Sequence, residues 1–340
     1  MWRITLDTNP EDCNATCIMC EEHSPYSDFI EKLYEKTGKR RRRMPLEWLE
    51  KIFTQAQHLG IKEIIPSTMG EPLIYKHFEK ILGLCEAYDM KLNLTTNGTF
   101  PRKSVESWAE MIVPVTSDVK FSWNGATAET YERVMQGISF EKVLDHLKRF
   151  IQARDQHAMA GGNYCRVTLQ LTFMEVNMHE LSDMIRLAAD LGVDRVKGHH
   201  LWAHFEEIKA QDFRRNEESV LRWNQIVTEA LQAQDMYRLS NGRKVQLDNI
   251  YPLGLQDGQN KIPEAYACPF LDQELWISPT GKISPCCAPD TLRQQLGDFG
   301  NIKETSLKEV IESKAYQHLR KNYRKIPLCQ SCNMRRAPIT

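Results

Sequence analysis

Ten cysteines constrain this chain more than any other feature of its sequence, because most of them fall in two groups. Three of them, Cys13, Cys17 and Cys20, lie within the first twenty residues, and Cys85 and Cys165 stand alone in the middle. The other five lie within the last seventy-three residues: Cys268, Cys286, Cys287, Cys329 and Cys332. The N-terminus lacks the basic start and long apolar stretch of a secretory signal, so we expect a reducing compartment, where clustered thiols serve metals or catalysis. The pattern therefore predicts two metal sites on one chain.

Composition narrows the class of protein that such a chain can be. With 44 Lys+Arg against 45 Asp+Glu the net charge is -1, whereas dedicated nucleic-acid binders usually carry a strong basic excess. No apolar run reaches the roughly 18–20 residues that are needed to cross a bilayer. We therefore expect a cytoplasmic globular protein whose partners are neither a membrane nor a nucleic acid.

The first two hundred residues alternate strand-like and helix-like segments. Strands are predicted at 2–6, 63–66, 91–95, 118–122, 166–172 and 195–201. Helices are predicted at 45–59, 76–88, 102–112, 129–135, 140–153 and 177–191. This alternation indicates βαβ units and a parallel sheet, so six repeats predict an α/β fold that is an incomplete barrel or an open sheet. Ligand sites in such folds lie at the C-terminal ends of the strands.

The pattern changes after about residue 205. Helices are predicted at 219–234 and 306–324, and short strands at 244–250, 274–278 and 283–284. We therefore predict a first domain at 1–205, a connecting helix and strand region at 206–260, and a small α+β domain at 261–340 that carries the second cysteine group.

The first cysteine group has the spacing C-x3-C-x2-C directly after the first predicted strand. Three thiols then share one tight loop, and cysteine thiolate is the usual ligand of iron–sulfur clusters. Three ligands on a four-iron cluster leave one iron open to a substrate, as in the open position of a catalytic zinc site. The alternative is a structural zinc site with His23 as its fourth ligand.

This spacing in this position resembles the signature of the radical S-adenosylmethionine (SAM) superfamily. Residues 68–72 (TMGEP), 94–98 (LTTNG) and 122–125 (SWNG) also follow successive strands as in that superfamily, although Met69 replaces the first glycine of the usual GGEP motif. The resemblance covers roughly residues 3–205 and implies a partial (β/α)6 TIM-like barrel with Cys13, Cys17 and Cys20 as cluster ligands. The SAM contacts that it implies are Thr68, Met69, Gly70, Glu71, Thr96, Asn97, Ser122, Asn124 and Asn177.

The second cysteine group resembles the twitch domain, a shortened form of the SPASM extension that a branch of this superfamily carries. In this chain Cys268-x12-Gly281-x4-Cys286 is followed by Cys329-x2-Cys332. The resemblance implies that these four cysteines hold one auxiliary cluster, so we expect two [4Fe–4S] clusters and SAM as cofactors. It selects Cys286 over Cys287 as a ligand. The alternative is a four-cysteine zinc ribbon, for which Cys-x2-Cys is also typical.

The resemblance also implies a reaction. One electron splits SAM into methionine and a 5′-deoxyadenosyl radical, which abstracts hydrogen from a C–H group that the protein positions. The substrate radical then loses an electron to the auxiliary cluster, which gives oxidation or a crosslink, or takes hydrogen from a thiol, which gives epimerisation. Cys287 and Cys165 are the candidate catalytic thiols, and both also fit a small buried apolar role, as Cys85 does.

Many relatives with such extensions modify ribosomally made peptides, so the leading expectation is peptide maturation by epimerisation, crosslinking or oxidation. Cys13 lies too near the start for a leader-binding domain to precede it. The partners expected are therefore a separate leader-peptide-binding protein and an electron donor such as flavodoxin or ferredoxin. Two alternatives stay open: a dehydrogenase or epimerase of an aminocyclitol or sugar, and a zinc-stabilised scaffold without catalysis.

Three polar segments complete the set of candidates. The basic run at 39–43 either steers an acidic substrate or forms a solvated loop. His199, His200 and His204 lie at or just after the end of the sixth strand, where they contact SAM adenine or substrate, or fill space. Residues 21–23 (EEH) follow the cysteine loop and are candidates for lining the pocket.

Overall fold

The computed structural model describes residues 1–66, 69–254, 264–288, 290–332 and 334–336. The chain forms two compact units. The first unit comprises residues 1–12 and 30–93 together with the described residues after 263. The second unit comprises residues 13–29 and 94–254.

The described residues form nine strands and twelve α-helices. The strands are β1 Arg3–Leu6, β2 Glu63–Ile65, β3 Lys91–Thr96, β4 Thr116–Ser122, β5 Arg166–Phe173, β6 Arg195–His200, β7 Gln246–Asp248, β8 Glu274–Ile277 and β9 Ile283–Ser284. The helices are α1 Phe29–Thr37, α2 Leu46–His58, α3 Phe78–Ala87, α4 Val105–Ile112, α5 Ala128–Val134, α6 Phe140–Met159, α7 Leu181–Leu191, α8 Glu217–Met236, α9 Asp290–Arg293, α10 Leu307–Glu312, α11 Lys314–Asn322 and α12 Pro327–Gln330. Within these residues no helix is long and apolar enough to span a bilayer.

In the first unit, β1 pairs in parallel with β2 and with β8, and β2 pairs in parallel with β3. β9 returns antiparallel to β8 around Gly281, whose φ of +87° is a conformation that glycine adopts readily. The predicted hairpin is therefore confirmed. The pairing of β8 with β1 was not predicted, because nothing in a four-residue strand identifies a partner about 270 residues away in sequence.

In the second unit, β4, β5, β6 and β7 pair in parallel in that order. Along these strands the side chains alternate between two faces. One face carries the apolar positions, such as Val119, Phe121, Leu169 and Val196, which are fully buried. The other face carries polar side chains throughout. Parallel strands joined by helices confirm the predicted α/β class.

Two helix predictions differ from the structure. The segment 306–324 forms two helices instead of one, because Ser313 is extended and its side chain accepts a hydrogen bond from the Tyr316 N–H to cap α11. The helix α1 was not predicted: it is nine residues long and Leu33 is its one buried residue, although its apolar residues do recur at helical spacing.

Candidate metal and cofactor sites

The first cysteine loop belongs to the second unit, where its backbone is fastened to the end of α5. The N–H groups of Thr16 and Ile18 donate to the carbonyls of Gln136, at 2.9 Å, and Val134, at 3.0 Å. Between Cys17 and Cys20 the loop closes in a turn, with the Cys20 N–H donating to the Cys17 carbonyl at 3.0 Å. The cysteine spacing therefore produces a short, anchored loop.

The thiols of this loop lie close enough to influence one another. Burial raises the pKa of Cys17 well above its ordinary value, and the neighbouring Cys20 and Cys13 raise it further. Burial also raises the pKa of Cys20 to about 12. Without a metal these thiols are protonated, and a cation that accepts several thiolates at once is what removes their mutual repulsion. This donor set fits an iron–sulfur cluster.

A buried hydroxyl beside this loop also fits a bound cluster. Burial raises the pKa of Tyr131, and the nearby Cys17 adds to the shift. Its Oη is buried and has no hydrogen-bond partner among the residues that the structure describes. A buried hydroxyl without a partner costs free energy, so an acceptor supplied by a cofactor sulfur would satisfy it.

Asn97, which follows β3, fastens the same loop from the side. Its Nδ2 donates to Asn14 Oδ1 at 2.8 Å and lies 3.9 Å from Cys13 Sγ. Its Oδ1 accepts from the backbone and side chain of Thr99, and Asn14 Nδ2 donates to Thr99 Oγ1 at 2.9 Å. The side chain of Thr96 accepts from the Gly98 N–H and closes the turn. The predicted SAM contacts of Thr96 and Asn97 stay predictions, and the positioning network around Asn14 was not predicted.

The turn at Gly70 lies in the first unit against the backbone of residues 9–12. A Cβ atom on Gly70 would lie 2.0 Å from the Asn9 carbonyl oxygen, so no other residue fits there without a backbone shift. The Glu71 N–H donates to the Asp12 carbonyl at 2.8 Å, and the Glu71 carboxylate caps the next turn by accepting from the Leu73 N–H. Of the four predicted SAM contacts in this segment, Met69, Gly70 and Glu71 are described, whereas Thr68 lies outside the described residues.

The basic run has a role that the sequence did not reveal. Arg42 Nε donates to Glu11 Oε1 at 2.7 Å, and the Arg42 N–H donates to Glu11 Oε2 at 2.6 Å. Arg43 holds Asp12 with two hydrogen bonds of 2.5 and 3.0 Å, which raise the pKa of its guanidinium. Glu11 and Asp12 are buried directly before Cys13 in the chain. Part of the run therefore neutralises two buried carboxylates instead of forming a solvated loop.

Asn124 and Asn177 fasten the C-terminal ends of β4 and β5. Asn124 Oδ1 accepts from the Thr172 N–H at 2.8 Å. Asn177 Nδ2 donates to the carbonyls of Asn124 and Thr172, and its Oδ1 accepts from the Met174 N–H. Ser122 is the last residue of β4. Their predicted SAM contacts stay predictions, and protein partners already occupy the Asn177 amide.

The polar face of the second unit forms rows across its strands. In the register of the sheet, Ser122, Gln170, Lys197 and Asp248 share one row, and Thr172 and His199 stand opposite each other in the next. Lys197 Nζ lies 3.5 Å from Asp248 Oδ2. Such a face suits a polar or charged ligand better than an apolar one. The alternation of polar residues along 118–122 and 166–172 is the sequence signal that would have revealed it.

The predicted histidines separate into different surroundings. Gln170 Nε2 lies 3.2 Å from His199 Nδ1, and Thr172 Oγ1 lies 3.2 Å from His199 Nε2. Because an amide nitrogen only donates, Nδ1 accepts and Nε2 donates. Burial lowers the pKa of His199 to about 4, so this ring is a neutral, fixed group on the polar face. His200 points to the other side, where it packs against Phe173 and Trp223. Burial also lowers the pKa of His204.

The second cysteine group converges within the first unit. Burial raises the pKa of Cys329 to about 12, and Cys286, Cys332 and Cys268 raise it further, so the four thiols lie near enough to influence one another. Cys287 is a fifth thiol in the same place. Its hydrogen bond lowers the pKa of Cys286 to about 7. Backbone N–H groups of Leu271 and Ala288 point at Cys268 Sγ and Cys286 Sγ, both at 3.4 Å, as is usual for cluster-binding thiolates.

Arg335 ties together two of the segments that carry these cysteines. Its side chain is buried, and its guanidinium donates to the carbonyls of Glu264 and Tyr266 at 2.7–2.9 Å and of Cys329 at 3.1 Å. A short antiparallel bridge between Ala267 and Arg336 adds two backbone hydrogen bonds. Nothing in the spacing of the sequence singles out Arg335, because two of its three backbone partners, Glu264 and Tyr266, lie about seventy residues away.

The two lone thiols are both buried, each within its own unit. Cys165 is buried immediately before β5, at the strand end opposite Asn177, and its Sγ lies 3.7 Å from the Arg166 carbonyl. Cys85 is buried on α3 and is a core residue, as predicted. The candidate role of Cys165 as a hydrogen donor stays a prediction, and its position gives that role no support.

Two family models match the chain. The Radical SAM superfamily matches residues 10–188, and the SPASM iron–sulfur cluster-binding domain matches residues 268–333. The PqqA peptide cyclase of Methylocella silvestris is 23% identical over 288 residues, which is 84% of this chain and 70% of the relative.

Solved structures show the same fold. Streptococcus suis SuiB bound to its precursor peptide SuiA aligns with a TM-score of 0.66 and 18% identity, over 98% of this chain and 69% of that one. The enzyme anSMEcpe with bound AdoMet and a peptide aligns with a TM-score of 0.63 and 15% identity, over 98% and 88%. The predicted partial TIM-like barrel with a C-terminal extension is thereby confirmed, and the zinc alternatives at both cysteine groups are wrong.

Proposed function

The chain belongs to the radical SAM superfamily, and from this premise we propose that it modifies a ribosomally made peptide. It is an enzyme that carries a SAM-binding [4Fe–4S] cluster and an auxiliary iron–sulfur cluster. The observation that carries the proposal is the similarity to a PqqA peptide cyclase along 84% of the chain. Two proteins of the same fold whose structures contain peptides, SuiB and anSMEcpe, support it.

The residues proposed to hold the first cluster are Cys13, Cys17 and Cys20. When bound, that cluster supplies the electron that splits SAM. The protein orients the loop that would hold the cluster. Asn97 and Asn14 fix the loop beside Cys13. Backbone N–H groups at the end of the loop, such as that of His23 at 3.4 Å from Cys20 Sγ, donate to sulfur. Fixed donors of this kind need no reorganisation when charge changes at the site.

The polar face of β4 to β7 is proposed to bind the substrate. The ion pair of Lys197 with Asp248 and the hydrogen-bonded set of Gln170, His199 and Thr172 lie in adjacent rows, and together they form a polar surface that suits the carbonyl and amide groups of a peptide. His199 stays neutral near neutral pH because burial holds its pKa at about 4, and its two ring nitrogens fix the side chains of Gln170 and Thr172 on this face. This face selects the substrate by hydrogen bonds instead of by apolar contact.

The proposed reaction is oxidation with formation of a crosslink, since the relative is named a peptide cyclase. Epimerisation is a second candidate, because five cysteines converge where a four-ligand cluster needs four and Cys287 is the spare thiol. In that case the Cys287 S–H bond would break to return a hydrogen atom to the substrate radical, and the Cys287 thiyl radical would be restored to a thiol by one electron from the electron donor and one proton from solvent. The enzyme is proposed to work in the cytoplasm with a one-electron donor such as flavodoxin or ferredoxin.

The test uses anaerobically reconstituted protein, SAM, a chemical reductant and candidate precursor peptides in D2O. A peptide product that has lost two hydrogens supports a crosslink or oxidation. A product that has gained one deuterium, and that Cys287→Ala no longer forms, supports epimerisation. Turnover of an aminocyclitol or sugar with no change in any peptide would contradict the proposal.

A further inference from the structure

The C-terminal part of the first unit carries a strongly charged surface that the cluster ligands do not explain. Residues 313–336 contain seven Lys or Arg and no Asp or Glu, although the whole chain has a net charge of -1. Such a local excess of one sign raises the rate at which partners of the opposite sign arrive. We call the three exposed cations Lys321, Arg324 and Lys325 the basic patch.

The cations of the basic patch are available to a partner, whereas their neighbours in sequence serve the fold. Arg320 pairs with Asp272 at 2.6 Å, and Arg335 is buried against backbone carbonyls. Among the residues that the structure describes, Lys321, Arg324 and Lys325 pair with no carboxylate. Their full charge therefore faces solvent.

The basic patch directly precedes two of the proposed auxiliary-cluster ligands in the sequence. The patch ends at Lys325, and the next residue, Ile326, accepts a hydrogen bond from the Cys329 N–H at 2.9 Å. Gln330 and Ser331, between Cys329 and Cys332, are exposed. Cys329 lies in α12 and Cys332 just after it, so two proposed cluster ligands follow within seven residues of the patch.

Among the residues that the structure describes, the surface around the basic patch exposes no large apolar side chain that would anchor a peptide. Tightly bound peptides insert aromatic or aliphatic anchors into apolar pockets. The exposed large apolar side chains among the described residues all lie outside 264–336. Transient redox complexes, in contrast, have small interfaces and associate through complementary charge.

From these observations we propose that the basic patch is the docking surface for an acidic one-electron carrier protein. The inference deepens the proposed function, because it rests on the need for an external electron donor and assigns where that donor binds. One electron passes from the reduced carrier to the enzyme, the carrier is oxidised by one unit, and no bond forms or breaks.

The test measures binding of oxidised flavodoxin, an acidic carrier, to the reconstituted holoenzyme by fluorescence anisotropy. The patch variant is Lys321→Gln/Arg324→Gln/Lys325→Gln. The control variant is Lys36→Gln/Lys142→Gln/Lys148→Gln, which removes three exposed cations that pair with no carboxylate in the described part of the chain. We expect the patch variant to weaken binding about tenfold or more and to lose most of its salt dependence, and the control to stay within about twofold.

Three outcomes would overturn the docking proposal: unchanged affinity of the patch variant, equal weakening by the control, or a patch variant that instead raises the KM for a peptide under a chemical reductant. The last would make an acidic peptide the occupant. SAM cleavage with photoreduced deazaflavin, which bypasses the carrier, should be equal in all three proteins. If the wild type cleaves SAM but modifies no peptide, the proposed substrate fails, and the flavodoxin titration still decides the docking surface.

Discussion

The two cysteine groups differ in how the chain assembles them. The first group is one loop of eight residues, Cys13 to Cys20, held by backbone hydrogen bonds to α5 and by Asn97. The second group draws five thiols from three separated segments, which the β8–β9 hairpin and the Arg335 side chain bring together. The first arrangement would offer three ligands to a four-iron cluster and leave one iron without a protein ligand, whereas the second offers more thiols than such a cluster has irons. The proposed reactive site is therefore built from one contiguous loop, and the proposed closed site is built from segments that lie far apart in the sequence.

The largest expected effect is the loss of iron when one cysteine of either group is replaced. Cys17→Ala and Cys329→Ala should each lose about four of about eight irons per chain, since each removes one ligand of a different cluster. Iron analysis and visible absorbance of anaerobically reconstituted protein measure this. If either single variant loses all its iron, the two sites are not independent.

The next effect tests the first unit near the start of the cysteine loop. Gly70→Ala should lower the free energy of unfolding by about 1–3 kcal/mol, because its Cβ would collide with the Asn9 carbonyl. Gly83→Ala on α3 is the matched control: it meets no atom within 4 Å and should raise stability by about 0.5–1 kcal/mol. Urea unfolding checks both. Equal effects of the two variants would show that the close approach at Gly70 is not real.

The two cysteine groups also show what the sequence can and cannot predict. The first site follows from local spacing, since Cys13, Cys17, Cys20 and the strand before them are contiguous. The second site needs partners that are about seventy residues apart, such as Arg335 and Tyr266, and no spacing rule connects them. The same holds for β8, which pairs with β1, and for Arg42, which holds Glu11. Hydrophobic periodicity predicts where helices and strands lie, and it does not predict which distant segments they contact.

Arg335 should matter only to the second group. Arg335→Met leaves three part-buried carbonyls without their donor and should release iron from the auxiliary site alone. Arg335→Lys should restore part of that iron. Arg324→Met, which removes an exposed arginine, should change neither site. Loss of SAM cleavage in Arg335→Met, with its first cluster intact, would contradict this separation.

The smallest expected effect is a difference in pH dependence between the two groups. Ligand thiols lose protons when a metal binds, so iron loading weakens as the pH falls wherever the thiol pKa lies above the working pH. Cys20, with a pKa of about 12, is protonated throughout the neutral range, so it makes iron affinity fall with the same slope against pH across that range. Cys286, with a pKa of about 7, is protonated only below about pH 7 and therefore contributes to the slope only there. The slope should therefore steepen below about pH 7 at the second group alone. Cys329→Ala reports the first group and Cys17→Ala the second, and identical curves would remove the distinction.

The central claim is that the three-thiol loop, and no other part of the chain, holds the cluster at which SAM is cleaved. The direct measurement is 5′-deoxyadenosine and methionine released by anaerobic protein with SAM and a chemical reductant. The account predicts that the wild type and Cys329→Ala both release 5′-deoxyadenosine and methionine, in equal amounts to each other. It predicts that Cys17→Ala releases neither product. Iron-loaded wild type that releases neither product, or Cys17→Ala that releases as much as the wild type, would contradict it.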